Sequence, residues 1–157
     1  MLNPIRTRIA PTPSGYLHIG NAFSFLYTWL IARKSGGWLM LRIDDSDSSR
    51  TRDKFLEDIF QTIDWLGIDY DFGASGVEDF KKNHSQKHRV EYYNQYLRQL
   101  EPHLYACKCS RKQIAKSSLS GIYPKTCLSL SLPLSAPKTA WRVKTNHEPI
   151  RYNGLQG

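Results

Sequence analysis

The stretch from Arg8 to Asn21 combines residue types that could bind a nucleotide. It has a short apolar segment, a turn rich in Pro, Ser and Gly, and a His-x-Gly step at the start of a predicted helix. Phosphates bind where backbone N–H groups point outward and no bulky Cβ blocks the approach, and a glycine at a helix N-terminus meets both conditions. We therefore expect a phosphate to approach at Gly20. The alternative is an ordinary strand-to-helix turn without a ligand, but such a turn does not require His18 or Arg8.

A group of carboxylates, Asp44, Asp45 and Asp47, follows a nearly continuous apolar run over residues 38–43. Such a run is typical of a parallel strand that is covered on both faces. Open α/β sheets bind ligands just beyond the carboxyl ends of their strands, so these carboxylates are candidates for the same site. A solvated acidic turn is the alternative.

The three cysteines of the chain have a spacing that suits a metal. Cys107 and Cys109 are two residues apart, and Cys127 lies eighteen residues beyond Cys109, so a hairpin-like knuckle could bring three thiolates together. A closed structural zinc site takes four ligands, so the fourth must be another residue type. Free thiols are the alternative, and an odd number of cysteines argues against a disulfide framework and for a reducing compartment.

The charge balance suits a phosphate-rich partner. Twenty-two Lys and Arg against fourteen Asp and Glu give a formal net charge of +8, which favours nucleic acid without specifying a sequence. The sequence contains neither a signal-peptide pattern nor an apolar run of ~20 residues. We therefore expect a cytoplasmic protein with no membrane association.

Hydrophobic periodicity predicts the elements that position these residues. We expect strands over 7–10, 38–43 and 139–144, helices over 18–34, 51–66 and 85–100, and a loop over 69–83. Residues 128–135 are either a short exposed strand or a linker, since Pro133 argues against a central strand. His84 and His88 have no third ligand nearby and are expected to be surface residues.

Each predicted helix has a face that we expect to be buried. In the first helix these residues are Ile19, Ala22, Phe23, Leu26, Trp29 and Leu30. In the second helix they are Phe55, Leu56, Ile59, Ile63 and Leu66. In the third helix Val90, Tyr93, Leu97 and Leu100 share one face.

The stretch Arg8–Asn21 resembles the HIGH signature of class I aminoacyl-tRNA synthetases, in the form found in the glutamyl branch. The resemblance implies an α/β fold, namely the first half of a Rossmann-like (HUP) parallel sheet with helices on both faces, plus a small zinc-knuckle insertion. It divides the chain into the first catalytic half (1–103), the zinc insertion with its following strand (104–145) and a short end (146–157). No KMSKS-type loop is found, so we expect this chain to be the N-terminal half of such an enzyme.

The resemblance implies a glutamate pocket. Arg8, Ala10 and Thr12 would hold substrate glutamate, with Arg8 as a bidentate partner for a carboxylate. The family has Arg-Ile-Glu-Asp where this chain has Arg42-Ile43-Asp44-Asp45, so Asp44 would take the α-ammonium group with a side chain one methylene shorter. A closer strand end, a bridging water or an altered pocket would each accommodate the difference, and the glutaminyl branch also has Asp here.

The resemblance also implies an ATP site. His18 and Gly20 would contact ATP, and Asn21, which replaces the final His of the HIGH pattern, can still hydrogen-bond phosphate. ATP, together with Mg²⁺, would be a substrate that activates glutamate as glutamyl-adenylate.

The cysteine segment resembles that of glutamyl-queuosine tRNA(Asp) synthetases, in which a Cys-x-Cys and a later Gly-Ile-Tyr-x-x-x-Cys bind zinc. This implies structural Zn²⁺ on Cys107, Cys109, Tyr123 and Cys127. The implied partner is tRNA(Asp) carrying queuosine, to which a monomeric enzyme would transfer glutamate. The alternatives are a fragment of a glutamyl-tRNA synthetase that charges the tRNA 3′ end, and a non-catalytic zinc- and RNA-binding remnant.

Overall fold

A parallel β-α-β unit begins the chain in the computed structural model, which describes residues 4–47, 49–117, 123–146 and 151. Strand β1 (Arg6–Ile9) is followed by helix α1 (Ile19–Lys34) and strand β2 (Trp38–Leu41). The two strands pair in parallel from Arg6↔Trp38 to Ile9↔Leu41. Gly36 follows the helix with a φ of 63°, a left-handed conformation that glycine adopts without steric cost.

The rest of the described chain is mainly helical until a second pair of strands. The further elements are helix α2 (Asp53–Trp65), the one-turn helix α3 (Val77–Asp79) continued by a π-helical turn (Phe80–His84), a 3₁₀ turn (Gln86–Arg89), helix α4 (Val90–Leu100), strand β3 (Leu104–Cys107), helix α5 (Arg111–Ser117) and strand β4 (Ala140–Val143). Strands β3 and β4 are antiparallel, from Leu104↔Val143 to Cys107↔Ala140. The α/β class is therefore confirmed, and so is the strand within 139–144.

The chain divides into two units, Met1–Tyr93 and Asn94–Gly157. This boundary falls within α4, and the domain division after residue 103 stays a prediction. The predicted end segment 146–157 lies mostly outside the described residues. Below, the two parts are called the N-terminal unit and the C-terminal unit.

The two units differ in the size of their cores. The N-terminal unit contains one cluster of twelve buried apolar residues: Ile9, Phe25, Ala32, Leu39, Leu41, Ile43, Leu56, Ile59, Ile63, Ile68, Ala74 and Phe80. The buried cluster of the C-terminal unit consists of Tyr105, Cys107 and Cys127, with Cys109 and Tyr123 packed against it.

The net charge is also unevenly divided. The N-terminal unit has twelve Lys and Arg against twelve Asp and Glu, whereas the C-terminal unit has ten against two. The whole formal excess of +8 therefore belongs to the unit that contains the cysteines.

The prediction for the buried face of α1 is wrong in part. Ile19, Phe23 and Leu30 are 85%, 71% and 55% exposed, and the buried residues of this helix are Phe25 and Ala32. The physical reason is that apolar residues lie on every side of α1, so their spacing does not select one face. The prediction for α2 is confirmed at Leu56, Ile59 and Ile63, because there the apolar residues form one stripe between charged ones.

Three further predictions need correction. The segment 69–83, expected to be a loop, contains α3 and most of the π-helical turn. The helix expected over 85–100 is α-helical only over Val90–Leu100, and its apolar face is exposed. His84 is not a simple surface residue, since its ring packs edge-on against Phe72 with 5.8 Å between ring centroids.

Candidate functional site

The loop between β1 and α1 borders a cleft of about 430 Å³. Five of the predicted site residues line it: Arg8, Ala10, Thr12, His18 and Asn21. Strand β1 supplies Arg8, and the loop that follows brings the other side chains round to the N-terminus of α1. Arg8, Thr12 and His18 are exposed, so an entering ligand can reach them without displacing the core.

His18 and Asn21 cap α1 reciprocally. The backbone N–H of Gly20 donates to His18 Nδ1 (3.1 Å), and the backbone N–H of His18 donates to Asn21 Oδ1 (3.0 Å). This is the geometry of a capping box, here with His at the N-cap and Asn three residues later. Because Nδ1 accepts a hydrogen bond, the neutral imidazole of His18 carries its proton on Nε2.

Gly20 is needed for that cap. A Cβ on Gly20 would lie 2.9 Å from Cε1 of the His18 ring, so a larger residue would push the ring away from the helix end. The close approach expected at Gly20 is therefore made by the His18 ring within the chain. The backbone N–H of Gly20 was predicted to bind a phosphate, but it donates its hydrogen bond to the His18 ring.

Asp44 is not among the residues that line the cleft. Its backbone N–H donates to the carbonyl oxygen of Pro11 (2.8 Å), so the end of β2 lies beside the loop that lines it. Its carboxylate oxygens accept hydrogen bonds from Arg42 Nε (2.7 Å) and Nη2 (2.9 Å), and Oδ1 also accepts one from Gln86 Nε2 (2.8 Å). An ammonium group at Asp44 would therefore have to share the carboxylate with a bidentate arginine.

Two other aspartates hold the site in place, and sequence reasoning missed their roles. Asp58 on α2 accepts the backbone N–H of Leu17 (2.8 Å), which anchors the loop just before the His18 cap. Asp45 is 2% exposed and accepts from the hydroxyl of Ser85 (2.5 Å) and the backbone N–H of Gln86 (2.8 Å). The partners are about forty residues apart in sequence, and no local pattern signals such pairs.

The three cysteines of the C-terminal unit lie together. Their sulfur atoms are all within 4.8 Å of one another, and the Sγ atoms of Cys109 and Cys127 are 3.5 Å apart. The hydroxyl oxygen of Tyr123 is 3.1 Å from Cys107 Sγ and 3.6 Å from Cys109 Sγ. The four predicted zinc ligands therefore form one cluster, although Gly121 and Ile122 of the motif lie outside the described residues.

The spacing of this cluster fits a tetrahedral zinc site. Zinc–sulfur bonds of ~2.3 Å at tetrahedral angles place two sulfurs about 3.8 Å apart, and a sulfur and an oxygen about 3.5 Å apart. The observed separations are close to these values.

The protonation preferences of the cluster suit thiolate ligands better than a phenolate. Hydrogen bonds from Tyr123 and from the backbone N–H of Lys108 lower the pKa of Cys127 to about 6. Burial and the hydrogen bond with Cys107 raise the pKa of Tyr123. At neutral pH Cys127 therefore favours the thiolate form, whereas Tyr123 keeps its phenol proton.

Residues 4–122 match the family described as tRNA synthetases class I (E and Q), catalytic domain. The fold, the capped loop and this match define a class I synthetase catalytic domain. The chain belongs to that family, within its glutamyl and glutaminyl branch.

Its relatives include both kinds of glutamyl enzyme. The chain is 38% identical over 141 residues to the glutamate–tRNA ligase of Anaeromyxobacter sp. (strain Fw109-5), covering 84% of this chain and 30% of that protein. It is 36% identical over 137 residues to the glutamyl-Q tRNA(Asp) synthetase of Nitratidesulfovibrio vulgaris, covering 82% of this chain and 42% of that protein. These identities are too close to distinguish the two.

Among solved structures, the glutamate–tRNA synthetase from Elizabethkingia anophelis superposes with a TM-score of 0.56 at 27% identity. The match covers 73% of this chain and 23% of that one. The chain thus spans less than half the length of these relatives. Within the described residues, no helix combines the length and apolar character needed to cross a lipid bilayer.

Proposed function

We propose that the N-terminal unit binds glutamate and ATP for the formation of glutamyl-adenylate. The observation that carries this proposal is that Arg8 and His18 line the same cleft. The guanidinium of Arg8 is planar and suits a carboxylate. The imidazole of His18 lies at a helix N-terminus and suits a phosphate. Both substrates of adenylate formation thus find a partner within one cavity.

The proposed reaction follows from these positions. Arg8 holds the side-chain carboxylate of glutamate through two hydrogen bonds, while Ala10 and Thr12 line the pocket around it. An oxygen of the substrate α-carboxylate attacks the α-phosphorus of ATP, and pyrophosphate leaves with the electron pair of the broken P–O bond. The chain contributes placement and electrostatic stabilisation, and no covalent nucleophile is needed.

His18 and Asn21 act on the phosphates in this proposal. The Nε2–H of His18 donates to a phosphate oxygen, since Nδ1 is already bonded to the helix end. Asn21 uses Oδ1 for the cap and keeps its amide N–H groups for a second oxygen. Mg²⁺ accompanies ATP. The carboxylate of Asp44 accepts a hydrogen bond from the α-ammonium group of glutamate and gives up one of its two hydrogen bonds from Arg42.

We further propose that zinc stabilises the C-terminal unit. Its ligands are Cys107, Cys109, Tyr123 and Cys127. We also propose that the glutamyl group is transferred to queuosine in tRNA(Asp). The position of the Tyr123 hydroxyl beside the thiols supports the queuosine branch. The second candidate is transfer to the tRNA 3′ end, favoured by the 38% identity to a glutamate–tRNA ligase. Gel-shift titration of tRNA(Asp) with and without queuosine separates the two, because only the first predicts a preference for the modified RNA.

The glutamate site is tested by calorimetric titration with glutamyl-sulfamoyl-adenosine, a stable analogue of the adenylate. Arg8→Gln should weaken binding by at least about tenfold, because a hydrogen bond to a charged group contributes about 1.5–3 kcal/mol. Arg6→Gln is the matched control, since Arg6 lies two residues earlier on the same strand and does not line the cleft. Equal effects of the two substitutions would contradict the proposal, as would equal affinity for the glutaminyl analogue.

A further inference from the structure

Tyr16 lies in the loop between β1 and α1 and lines the cleft of the N-terminal unit, but it has no role in the reaction proposed above. Among the described residues that line this cleft, Tyr16 and Phe25 have benzene rings. Phe25 is 6% exposed and belongs to the apolar cluster, whereas Tyr16 is 62% exposed. Tyr16 therefore offers the cleft an aromatic surface that the core does not use.

The ring of Tyr16 is supported by helix α2. The ring of Phe55 packs against it in an edge-to-face arrangement, with 5.0 Å between ring centroids and an interplanar angle of 88°. The ammonium nitrogen of Lys54 lies 5.5 Å from the centroid of the Tyr16 ring and 5.0 Å from that of Phe55. Both kinds of contact are attractive, so they hold the Tyr16 ring in place before a ligand binds.

The backbone beside Tyr16 is fixed as well. The N–H of Leu17 donates to Asp58 Oδ2 on α2 (2.8 Å). His18, the next residue, is held by the capping box at the start of α1. Tyr16 and His18 are thus two residues apart on an anchored segment, and both line the cleft. One nucleotide can therefore reach His18 with its phosphates and Tyr16 with its base.

An exposed and supported aromatic ring suits a nucleobase. Every base has a π-face, and stacking on an aromatic side chain does not require hydrogen bonds to the base. The cleft, at about 430 Å³, has the volume of an ordinary small-molecule site. Because ATP is the nucleotide of the proposed reaction, the base that meets this ring is adenine.

We propose that Tyr16 binds the adenine base of ATP by stacking, with its ring held by Phe55 and Lys54. The inference rests on the proposed function, since it places ATP in the same cleft. It adds a binding residue for the base, whereas His18 and Asn21 bind the phosphates. The contributions of base and phosphates to affinity are therefore separable.

The test is calorimetric titration of the chain with ATP and, separately, with inorganic tripolyphosphate, which has the phosphates but no base, both with Mg²⁺. Tyr16→Ala should weaken ATP binding by at least about fivefold, the usual loss when a stacked base loses its aromatic partner. The same substitution should leave tripolyphosphate binding unchanged. Tyr16→Phe should keep most of the ATP affinity, because phenylalanine also stacks.

Tyr27→Ala is the control, because Tyr27 is similarly exposed (59%) and lies on α1, but does not line the cleft. Equal losses of ATP affinity in Tyr16→Ala and Tyr27→Ala would overturn the proposal. Equal losses of ATP and tripolyphosphate affinity in Tyr16→Ala would also overturn it, since the ring would then act only by fixing the loop before His18.

A second measurement needs no substitution. In proton NMR spectra, the adenine H2 and H8 signals of ATP should move upfield on binding, because the ring current of a stacked tyrosine shields them. Bound ATP without this upfield shift would contradict stacking, whatever the stability of the Tyr16 variants.

The outcomes separate this inference from the proposed glutamate site. Weaker binding of glutamyl-sulfamoyl-adenosine by Arg8→Gln, together with unchanged ATP affinity in Tyr16→Ala, would contradict the inference alone. Unchanged analogue affinity in Arg8→Gln, together with the expected loss of ATP affinity in Tyr16→Ala, would contradict the glutamate site alone. Absence of ATP binding by the unsubstituted chain would contradict both.

Discussion

The two units of this chain are stabilised in different ways. The N-terminal unit buries twelve apolar residues in one cluster, with Leu39 and Ile59 fully excluded from water. The buried apolar residues described in the C-terminal unit are Leu104, Tyr105, Ala106, Cys107 and Cys127, of which two are thiols. Among the residues described in this unit the apolar core is small, and structural metals stabilise many small domains with such cores.

The units also differ in what they offer to ligands. The N-terminal unit has balanced charge. Its cleft is lined by Arg8 and by His18, the N-cap of α1. The C-terminal unit has the full excess of positive charge and a cleft with three aromatic residues. The excess positive charge of the second unit favours polyanions, whereas the balanced charge of the first gives no such preference.

Removal of zinc should have the largest effect, and it should distinguish the units. After treatment with a chelator, backbone amides of β3 and β4 should lose hydrogen-exchange protection by more than about 100-fold, because metal binding supplies folding free energy. Amides of β1 and β2 should keep their protection, since apolar burial stabilises them. Zinc content at or below trace level in the purified chain, or unchanged exchange in β3, would contradict this account.

Truncation of the apolar cluster should have the next largest effect. Leu56→Ala, at a position 2% exposed, should lower the free energy of unfolding by about 2–5 kcal/mol in urea titrations. Leu30→Ala removes the same atoms from a helix position that is 55% exposed, so its cost should be within about 1 kcal/mol. Equal costs would mean that the exposed face of α1 is buried in solution.

Loss of the Tyr123 hydroxyl should weaken zinc binding. Tyr123→Phe should reduce zinc affinity by about 10- to 100-fold in competition with a chromophoric chelator, because this hydroxyl lies within 3.6 Å of two sulfurs. Tyr105→Phe deletes the same atom from a neighbouring tyrosine of the same cluster and should leave the affinity unchanged. If the two variants behave alike, Tyr123 is not a ligand.

The smallest effect concerns acid stability of the N-terminal unit. The backbone N–H of Leu39 and the side chain of Arg33 donate to Asp71 and lower its pKa. Its contribution to stability is therefore fully present above its ordinary pKa of about 4 and is lost as the pH falls through the lowered value. Melting temperatures measured from pH 5 downward should fall less steeply for Asp71→Asn than for the unsubstituted chain, and equal slopes would contradict this expectation.

Local sequence patterns predicted the elements around the sites better than the contacts between them. The apolar runs, the glycines and the charged stripe of α2 were sufficient for β1, α1, β2 and α2. The grouping of three cysteines and Tyr123 followed from a motif. The buried side of α1 could not be predicted, because its apolar residues surround the helix.

Contacts between residues far apart in sequence also could not be predicted from local sequence patterns. The bond between Asp58 and Leu17, and that between Asp45 and Ser85, join residues about forty positions apart and depend on how the elements pack. The uneven distribution of net charge between the units depends on the boundary within α4. The total of +8 alone does not say which unit contains the excess.

The most direct test of the division between the units is hydrogen exchange measured with each ligand separately. We expect glutamyl-sulfamoyl-adenosine to slow exchange in residues 8–21 and to leave exchange in residues 104–145 unchanged. We expect a single-stranded RNA to slow exchange in residues 104–145, which belong to the unit with the excess positive charge, and to leave exchange in residues 8–21 unchanged. Protection of the same peptides by both ligands, or the absence of protection by either one, would contradict this division.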